Sequence, residues 1–272
     1  MTETDYMLNH DAKEWDRLKH QHHLWRDTLL DHLPRLGIRA GSRILEVGCG
    51  SGILLRDLAE IAGSSGRTVG LERDAAAVAH ARHTVSVSPE LETEVVQGDI
   101  FELEAGDLGG PFDLVVARWV LDWLPERREA LRRMAEQVKP GGYLLIQDYN
   151  YDAIRVAPSQ PGLVKLFTTM PKAYAQHGGD AWYTVRLAQE FHRLGWITES
   201  VTPICRAGGP ESAVFQWAER FFRDYVQHIV DDGLLTQDEG DAAVAGWDTA
   251  VTTPGSLFFS PLIVTVVGRR PD

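Results

Sequence analysis

Ile44-Leu45-Glu46-Val47-Gly48-Cys49-Gly50-Ser51-Gly52 decides how the rest of the chain is read. A short apolar run leads into a turn with glycine at every second position, then into the helix-compatible run Ile53-Leu54-Leu55-Arg56-Asp57-Leu58-Ala59-Glu60. Glycine suits such a turn because the backbone must adopt conformations that a Cβ would block, and because a ligand must come close to the main chain. The helix that follows offers unpaired N–H groups and a partial positive charge. Together these predict a nucleotide-type cofactor site at the carboxyl edge of a parallel sheet. A dinucleotide fingerprint requires G-x-G-x-x-G, but here the third glycine comes one residue early, at Gly52, with Ile53 in the expected place. The absence of G-K-[ST] excludes a phosphate-cradling P-loop. Glu46, two residues before the first glycine, suits a cofactor bearing an ammonium and a sulfonium better than one bearing a pyrophosphate.

With these residues the chain resembles the class I S-adenosylmethionine-dependent methyltransferases, in particular the small-molecule domain of ubiquinone and menaquinone biosynthesis. The later motifs follow in order. Thr68-Val69-Gly70-Leu71-Glu72 reads as a second strand ending in an acid, placed to take a ribose; a helix N-terminal acid before the run that begins near Arg73 is the plainer alternative. Glu94 to Gln97 reads as a third strand before Gly98-Asp99-Ile100, where the resemblance implies that Asp99 meets the adenine amino group and Ile100 the ring; an Asx-turn is the plainer alternative. Phe112-Asp113-Leu114-Val115-Val116-Ala117-Arg118 reads as a buried fourth strand, and the resemblance lays the next peptide, at Arg118 and Trp119, against the methionine part of the cofactor. Lys139-Pro140-Gly141-Gly142 before Tyr143 to Gln147 is a further family mark and also a good helix stop.

The fold expected is therefore α/β: a doubly wound, seven-stranded, mostly parallel Rossmann-like sheet whose last strand is antiparallel, with a helical cap. Residues 1–40 are expected to form an amino-terminal helical arm or lid, 41–150 the cofactor-binding core, and 151–272 the rest of the sheet with cap insertions at about 155–180 and 206–256. Apolar Trp15, Leu18, Trp25, Leu29 and Leu33 recur at helical spacing until Pro34 and Gly37. This helix packs on the sheet edge, closes the pocket as a lid, or joins two copies in a homodimer. Leu163 to Met170 and Thr184 to Leu194 read as helices, and Ile197 to Cys205 and Leu257 to Val267 as the last strands. Between those strands, Phe215, Ala218, Phe222, Val226 and Ile229 form a stripe widened by Trp217, Phe221 and Tyr225, and Thr236-Gln237-Asp238-Glu239 fits a capping box.

With 27 Lys plus Arg against 39 Asp plus Glu, the net charge of −12 speaks against a nucleic-acid partner. Arg127, Arg128, Arg132 and Arg133 fall at helical spacing among acids and read as a solvated face. Two cysteines and no signal-like or membrane-length apolar run lead us to expect a soluble, cytoplasmic protein with no membrane partner. His20, His22 and His23 lack a second ligand pair and read as surface histidines.

The cofactor implied is S-adenosylmethionine, held by Glu46, Gly48, Cys49, Gly50, Gly52, Glu72, Arg73, Asp99, Ile100, Arg118 and Trp119. Its partner is a small, partly hydrophobic methyl acceptor reacting at oxygen, nitrogen or carbon, for instance a natural-product scaffold in secondary metabolism. Candidate proton acceptors are Asp148, His10, Tyr6 and His177. Asp148-Tyr149-Asn150 is similar to the metal ligands of catechol-type methyltransferases, but those add an acid after the fourth strand, where this chain has Ala117-Arg118; no metal is expected. The rival functions are a Rossmann oxidoreductase using NAD(P) and a catalytically silent protein that binds the cofactor as a partner.

Overall fold

A computed structural model of the protein describes residues 12–104 and 106–272. Tyr6 and His10 lie outside the described residues. The chain opens with α1 (Ala12–Trp25) and the short α2 (Asp27–Leu30). A single helix running to Leu33 was the expectation. Instead the helix breaks after Trp25, whose carbonyl accepts from the Thr28 hydroxyl at 2.6 Å, and a 3-10 turn at Leu33–Leu36 ends on Gly37 at φ +72°.

The doubly wound part follows as β1 (Arg43–Val47), α3 (Ile53–Ala62), β2 (Arg67–Glu72), α4 (Ala75–Val85), β3 (Thr93–Gln97), β4 (Phe112–Arg118), α5 (Arg127–Glu136) and β5 (Val138–Asn150). Next come β6 (Arg155–Ala157), α6 (Pro161–Gln176), α7 (Leu187–Arg193), β7 (Ile197–Ile204), β8 (Ala207–Gly208), α8 (Ala213–Asp231), α9 (Gln237–Thr252), β9 (Leu257–Phe259) and β10 (Leu262–Arg269). The main sheet has seven strands in the order β3-β2-β1-β4-β5-β10-β7. Its strands pair in parallel except where β10 runs antiparallel to both β5 and β7. The order reverses beside β1, which puts the crevice at the carboxyl ends of β1 and β4.

Alternate residues of each strand feed two layers. Ile44, Leu114, Val116, Leu145 and Val267 pack with Leu29, Leu33, Leu54 and Leu58 on one face. Leu45, Val47, Val115, Ala117, Leu144 and Ile146 pack with Leu131, Met134, Leu187 and Phe191 on the other. Glu46 and Arg118 share the parity of Ile44 and Leu114, so they belong to the face covered by α3.

The cap has its own core, with a three-stranded sheet β6-β9-β8 that sequence reading missed. The expected last strand over 257–267 is in fact two, because Pro261 cannot donate to a ladder and Ser260 N–H turns to the Arg206 carbonyl at 2.9 Å. On the α8 stripe the buried Phe215 and Phe222 face Phe167, Trp247 and Phe258, while Trp217 meets Trp25 of α1 and Tyr149 of β5. Gly162 lets α6 cross α9 closely, since a Cβ there would meet the Ala242 carbonyl oxygen at 2.2 Å. The capping box at Thr236 and Glu239 forms as expected. Among the described residues no helix is long and apolar enough to cross a membrane.

Candidate cofactor site

The glycine turn is built from backbone that only glycine adopts easily: Gly48, Gly50 and Gly52 have φ of +68°, +50° and +74°. Gly48 must also stay small, because a Cβ there would meet Val120 Cγ2 at 2.6 Å. The turn is tied to the end of β2. Gly48 and Cys49 N–H groups donate to the Leu71 carbonyl at 2.8 and 3.1 Å. Gly50 N–H donates to Glu72 Oε2 at 2.9 Å, while Glu72 Oε1 accepts from Arg73 N–H at 2.8 Å and Asp74 N–H at 3.0 Å. A carboxylate has about four acceptor sites, so Oε2 keeps one for a hydroxyl. The helix-capping alternative for Glu72 falls to its neighbour: Asp74 is the N-cap of α4 and accepts from Ala77 N–H at 2.8 Å.

The Cys49 side chain turns away from the turn into a small core with Leu55, Val78, Ala81 and Val95. Burial first, and then Glu46 and Glu72, push its thiol well above the usual range. As a cofactor residue Cys49 therefore offers only its backbone. Asp99 adopts the Asx-turn, its Oδ1 accepting from Phe101 N–H at 3.0 Å. Its Oδ2 lies 3.8 Å from Arg73 Nη1, and Ile100 beside it is buried.

At the ends of β1 and β4 the structure buries a carboxylate and a guanidinium with polar atoms to spare. Glu46 Oε2 and Arg118 Nη1 have no hydrogen-bond partner among the described residues. Burial pushes Glu46 up to about 8, against the pull of Arg118. Burial likewise pushes Arg118 down to about 10, against the pull of Glu46. The Arg118 guanidinium also lies over the Trp119 ring, 4.4 Å from its centroid. Trp119 is the one non-glycine described residue with positive φ, at +59°, a strain worth about 1–3 kcal/mol that tends to gather at functional sites. Its indole Nε1 is also unpartnered.

Behind this turn lie two enclosed acids. Asp148 Oδ2 accepts from Leu121 N–H at 3.1 Å, which fixes the turn after β4. Burial pushes Asp148 up to about 8, opposed by the N–H groups of residues 119–122. Asp122 is pushed well above the carboxylate range, first by burial and then by Asp148 and Asp180. On the cap side, Trp119 stacks on Tyr149 with centroids 5.7 Å apart, Tyr149 on Trp217 at 6.4 Å, and the Tyr151 and Tyr174 hydroxyls meet at 3.2 Å.

Helix α1 spans these parts. Trp15 stacks on His80 of α4 at 4.2 Å, Gln21 Oε1 accepts from Trp217 Nε1 at 3.3 Å, and Lys13 pairs with Asp224 of α8 at 3.0 Å. His22 corrects the surface reading of the histidine cluster: it is only 2% exposed, whereas His20 and His23 are exposed. His22 Nε2 bonds Asp57 Oδ2 at 2.9 Å, and Nδ1 accepts from Arg118 Nη2 at 2.9 Å. The lone sequence signal was that His22 falls on the apolar side of the helix, one turn before Trp25. His177 follows the last turn of α6 and bonds Asp232 at 3.0 Å, a contact within the cap.

Of the four arginines expected on a solvated face, Arg132 and Arg133 pair with Glu129 of α5 itself, whereas Arg128 reaches the buried Glu190 and Arg127 lies over the Tyr183 ring, 5.6 Å from its centroid. Among the described residues no group of three or more His, Cys, Asp or Glu is placed to hold a metal ion.

A methyltransferase domain family matches residues 17–201. The chain belongs to this family. The match begins inside α1 and ends in β7, so it takes in the glycine turn, Glu72, Asp99, Arg118, Trp119 and Asp148 but not Trp15 or the α8 side of the site, and it removes the oxidoreductase alternative. Membership carries with it the S-adenosylmethionine-dependent methyl-transfer chemistry of the class. The methyltransferase is similar to a ubiquinone biosynthesis O-methyltransferase of Cronobacter sakazakii, 30% identical over 167 residues, covering 61% of this chain but less than two thirds, 63%, of that enzyme. A trans-aconitate 2-methyltransferase of Azoarcus is 26% identical over 226 residues, covering 81% of this chain and 82% of that one. In fold, the methyltransferase matches BH2331, a candidate methyltransferase from Bacillus halodurans, with TM-score 0.60 and 16% identity over 90% of this chain and all of that one.

Proposed function

We propose that this chain transfers the methyl group of S-adenosylmethionine to an oxygen, nitrogen or carbon of a small, partly hydrophobic metabolite, with natural-product scaffolds the favoured class. One observation carries the reading: a buried acceptor, Glu46 Oε2, and a buried donor, Arg118 Nη1, both unpartnered at the strand ends beside the glycine turn. An α-amino acid end, ammonium and carboxylate together, satisfies both. When bound, the cofactor supplies an electrophilic methyl carbon on a sulfonium. Glu72 would take the ribose through the free site on Oε2, and Asp99 and Ile100 the adenine. Trp119, Tyr149 and Trp217 would give the acceptor an apolar wall, which favours alignment and excludes water. Helix α1 would act as the lid, since it already bridges α4 and α8.

Asp148 serves the reaction by holding the turn that carries Trp119. Two enclosed acids close together cannot both ionise easily, so the Asp122–Asp148 pair holds its protons at neutral pH and is a poor acceptor for a proton from the substrate. A phenol or amine acceptor, which yields its proton readily, fits this better than an unactivated hydroxyl.

Calorimetric titration with S-adenosylmethionine and S-adenosylhomocysteine, beside NADH, tests the site. Binding of both methionine cofactors and none of NADH is expected, with Arg118→Met weakening them by about tenfold or more, as for a lost hydrogen bond to a charged group. Unchanged affinity in Arg118→Met would sink the assignment. Methyl release from labelled cofactor in the presence of candidate phenols and amines then separates an enzyme from a silent binder.

A further inference from the structure

His22 stands between two elements of the site and belongs to neither. It comes from α1, its Nε2 meets Asp57 of α3 at 2.9 Å, and its Nδ1 faces Arg118 Nη2 of β4 at 2.9 Å. A guanidinium can only donate, so Nδ1 must be the bare acceptor and Nε2 must carry the hydrogen that goes to Asp57. The ring is neutral and in one tautomer. Asp57 is itself anchored, since Arg26 Nε donates to the same Oδ2 at 2.6 Å. Hydrogen bonds from His22 and Arg26 hold Asp57 below the usual carboxylate range although burial pushes it up.

We propose that His22 is a positioning residue: docking of α1 places its Nδ1 on Arg118 Nη2, and this fixes the guanidinium so that the unpartnered Nη1 faces the carboxylate of the cofactor's methionine end. The inference rests on the methyl-transfer reading of the site and adds a coupling to it. The lid does not merely cover the ligand; its closure sets the donor that grips it. Arg118 has few alternatives, because its other contact is the face of the Trp119 ring.

Protonation of His22 would undo the arrangement, since Nδ1–H would then point at a guanidinium N–H. The charged groups that face the ring are Asp57 from α3, Arg118 from β4 and His23 from α1, with Arg26 reaching it through Asp57 and Glu46 beside Arg118. Burial lowers His22 below its ordinary value, Asp57 opposes this, and Arg118 and His23 add to it. The neutral ring is thus the resting form at neutral pH, and charging is confined to acid conditions.

The test compares two ligands: S-adenosylhomocysteine, which has the amino-acid end, and 5′-methylthioadenosine, which lacks it. His22→Gln keeps a donor for Asp57 but loses the acceptor for Arg118; His22→Asn keeps a group near the Nδ1 position. At pH 7 His22→Gln is expected to bind S-adenosylhomocysteine about tenfold more weakly, with His22→Asn recovering part of the loss and methylthioadenosine changing less than about twofold in either. Between pH 7 and pH 5 the wild type should lose affinity for S-adenosylhomocysteine relative to His22→Gln, and not for methylthioadenosine. If His22→Gln weakens both ligands alike, the residue is only structural and the proposal fails. If it weakens neither, Arg118 is placed without it and the proposal fails again. If wild-type protein binds methylthioadenosine but gains nothing from the amino-acid end, it is the assignment of Glu46 and Arg118 that falls, and the two failures are told apart.

Discussion

The carboxyl ends of β1, β4 and β5 and the interior of the cap are both closed to solvent, but they are built in opposite ways. At the strand ends, Glu46, Arg118, Trp119, Asp122 and Asp148 all keep buried polar atoms without a partner. In the cap, Phe167, Phe215, Phe222, Trp247 and Phe258 meet ring to ring, mostly edge-to-face, and Trp247 Nε1 is the one orphan of that group. An unsatisfied buried polar group costs about 1–3 kcal/mol, so the strand ends are maintained at the expense of stability. The cap supplies stability and has little chemistry to offer. Substitutions in the two regions should therefore separate binding from folding.

The largest effect is expected in the cap. Trp247 is 1% exposed, and Trp247→Ala should cost about 3–5 kcal/mol by chemical denaturation. Cofactor affinity, measured where the variant is still folded, should stay within about threefold of wild type, as for sites without shared contacts. A parallel loss of affinity would show that the two regions are one cooperative unit.

The next effect belongs to the strand ends and appears as a pH dependence. Burial pushes Glu46 up to about 8 and lifts the neighbouring Asp148 and Asp122 above the carboxylate range as well, so all three bind protons more tightly than in an unfolded chain. Between roughly pH 4 and pH 8 the native state then binds more protons than the unfolded one, so stability is whole below that window and falls as pH rises through it. The thermal midpoint of the ligand-free protein should drop from pH 5 to pH 8.5, and Asp148→Asn, which still accepts from Leu121, should flatten part of the slope. A rising midpoint would mean that these carboxylates are ionised and satisfied in the native state. The smallest effect is Thr236→Ala, which removes the capping box of α9 and should cost about 1 kcal/mol with no change in cofactor binding.

What could be read from the sequence was what local rules dictate. Gly48, Gly50 and Gly52 announce themselves because only their backbone freedom makes that turn, and Phe112 to Arg118 because a strand buried on both faces must be continuous in apolar residues. Thr236 and Glu239 were legible as a cap for the same reason: both partners lie within one turn. The small sheet of β6, β8 and β9 escaped because its strands have two or three residues each, too few for any periodicity. His22 escaped because its meaning lies in Asp57 and Arg118, 35 and 96 residues away. Nothing local marks Asp122, which only its burial near Asp148 sets apart.

The way Cys49 is stowed has a chemical consequence. A thiolate is a strong nucleophile, and this one belongs to the very loop where an alkylating sulfonium is expected to lie. With its sulfur packed against Gly70, where a Cβ would come within 2.8 Å, and its proton retained far above neutral pH, the loop is protected from methylating itself. Cys205, by contrast, is exposed. A thiol reagent applied to the folded protein therefore marks Cys205 and leaves Cys49 untouched until the glycine turn opens, making the second thiol a built-in reporter of that loop's integrity.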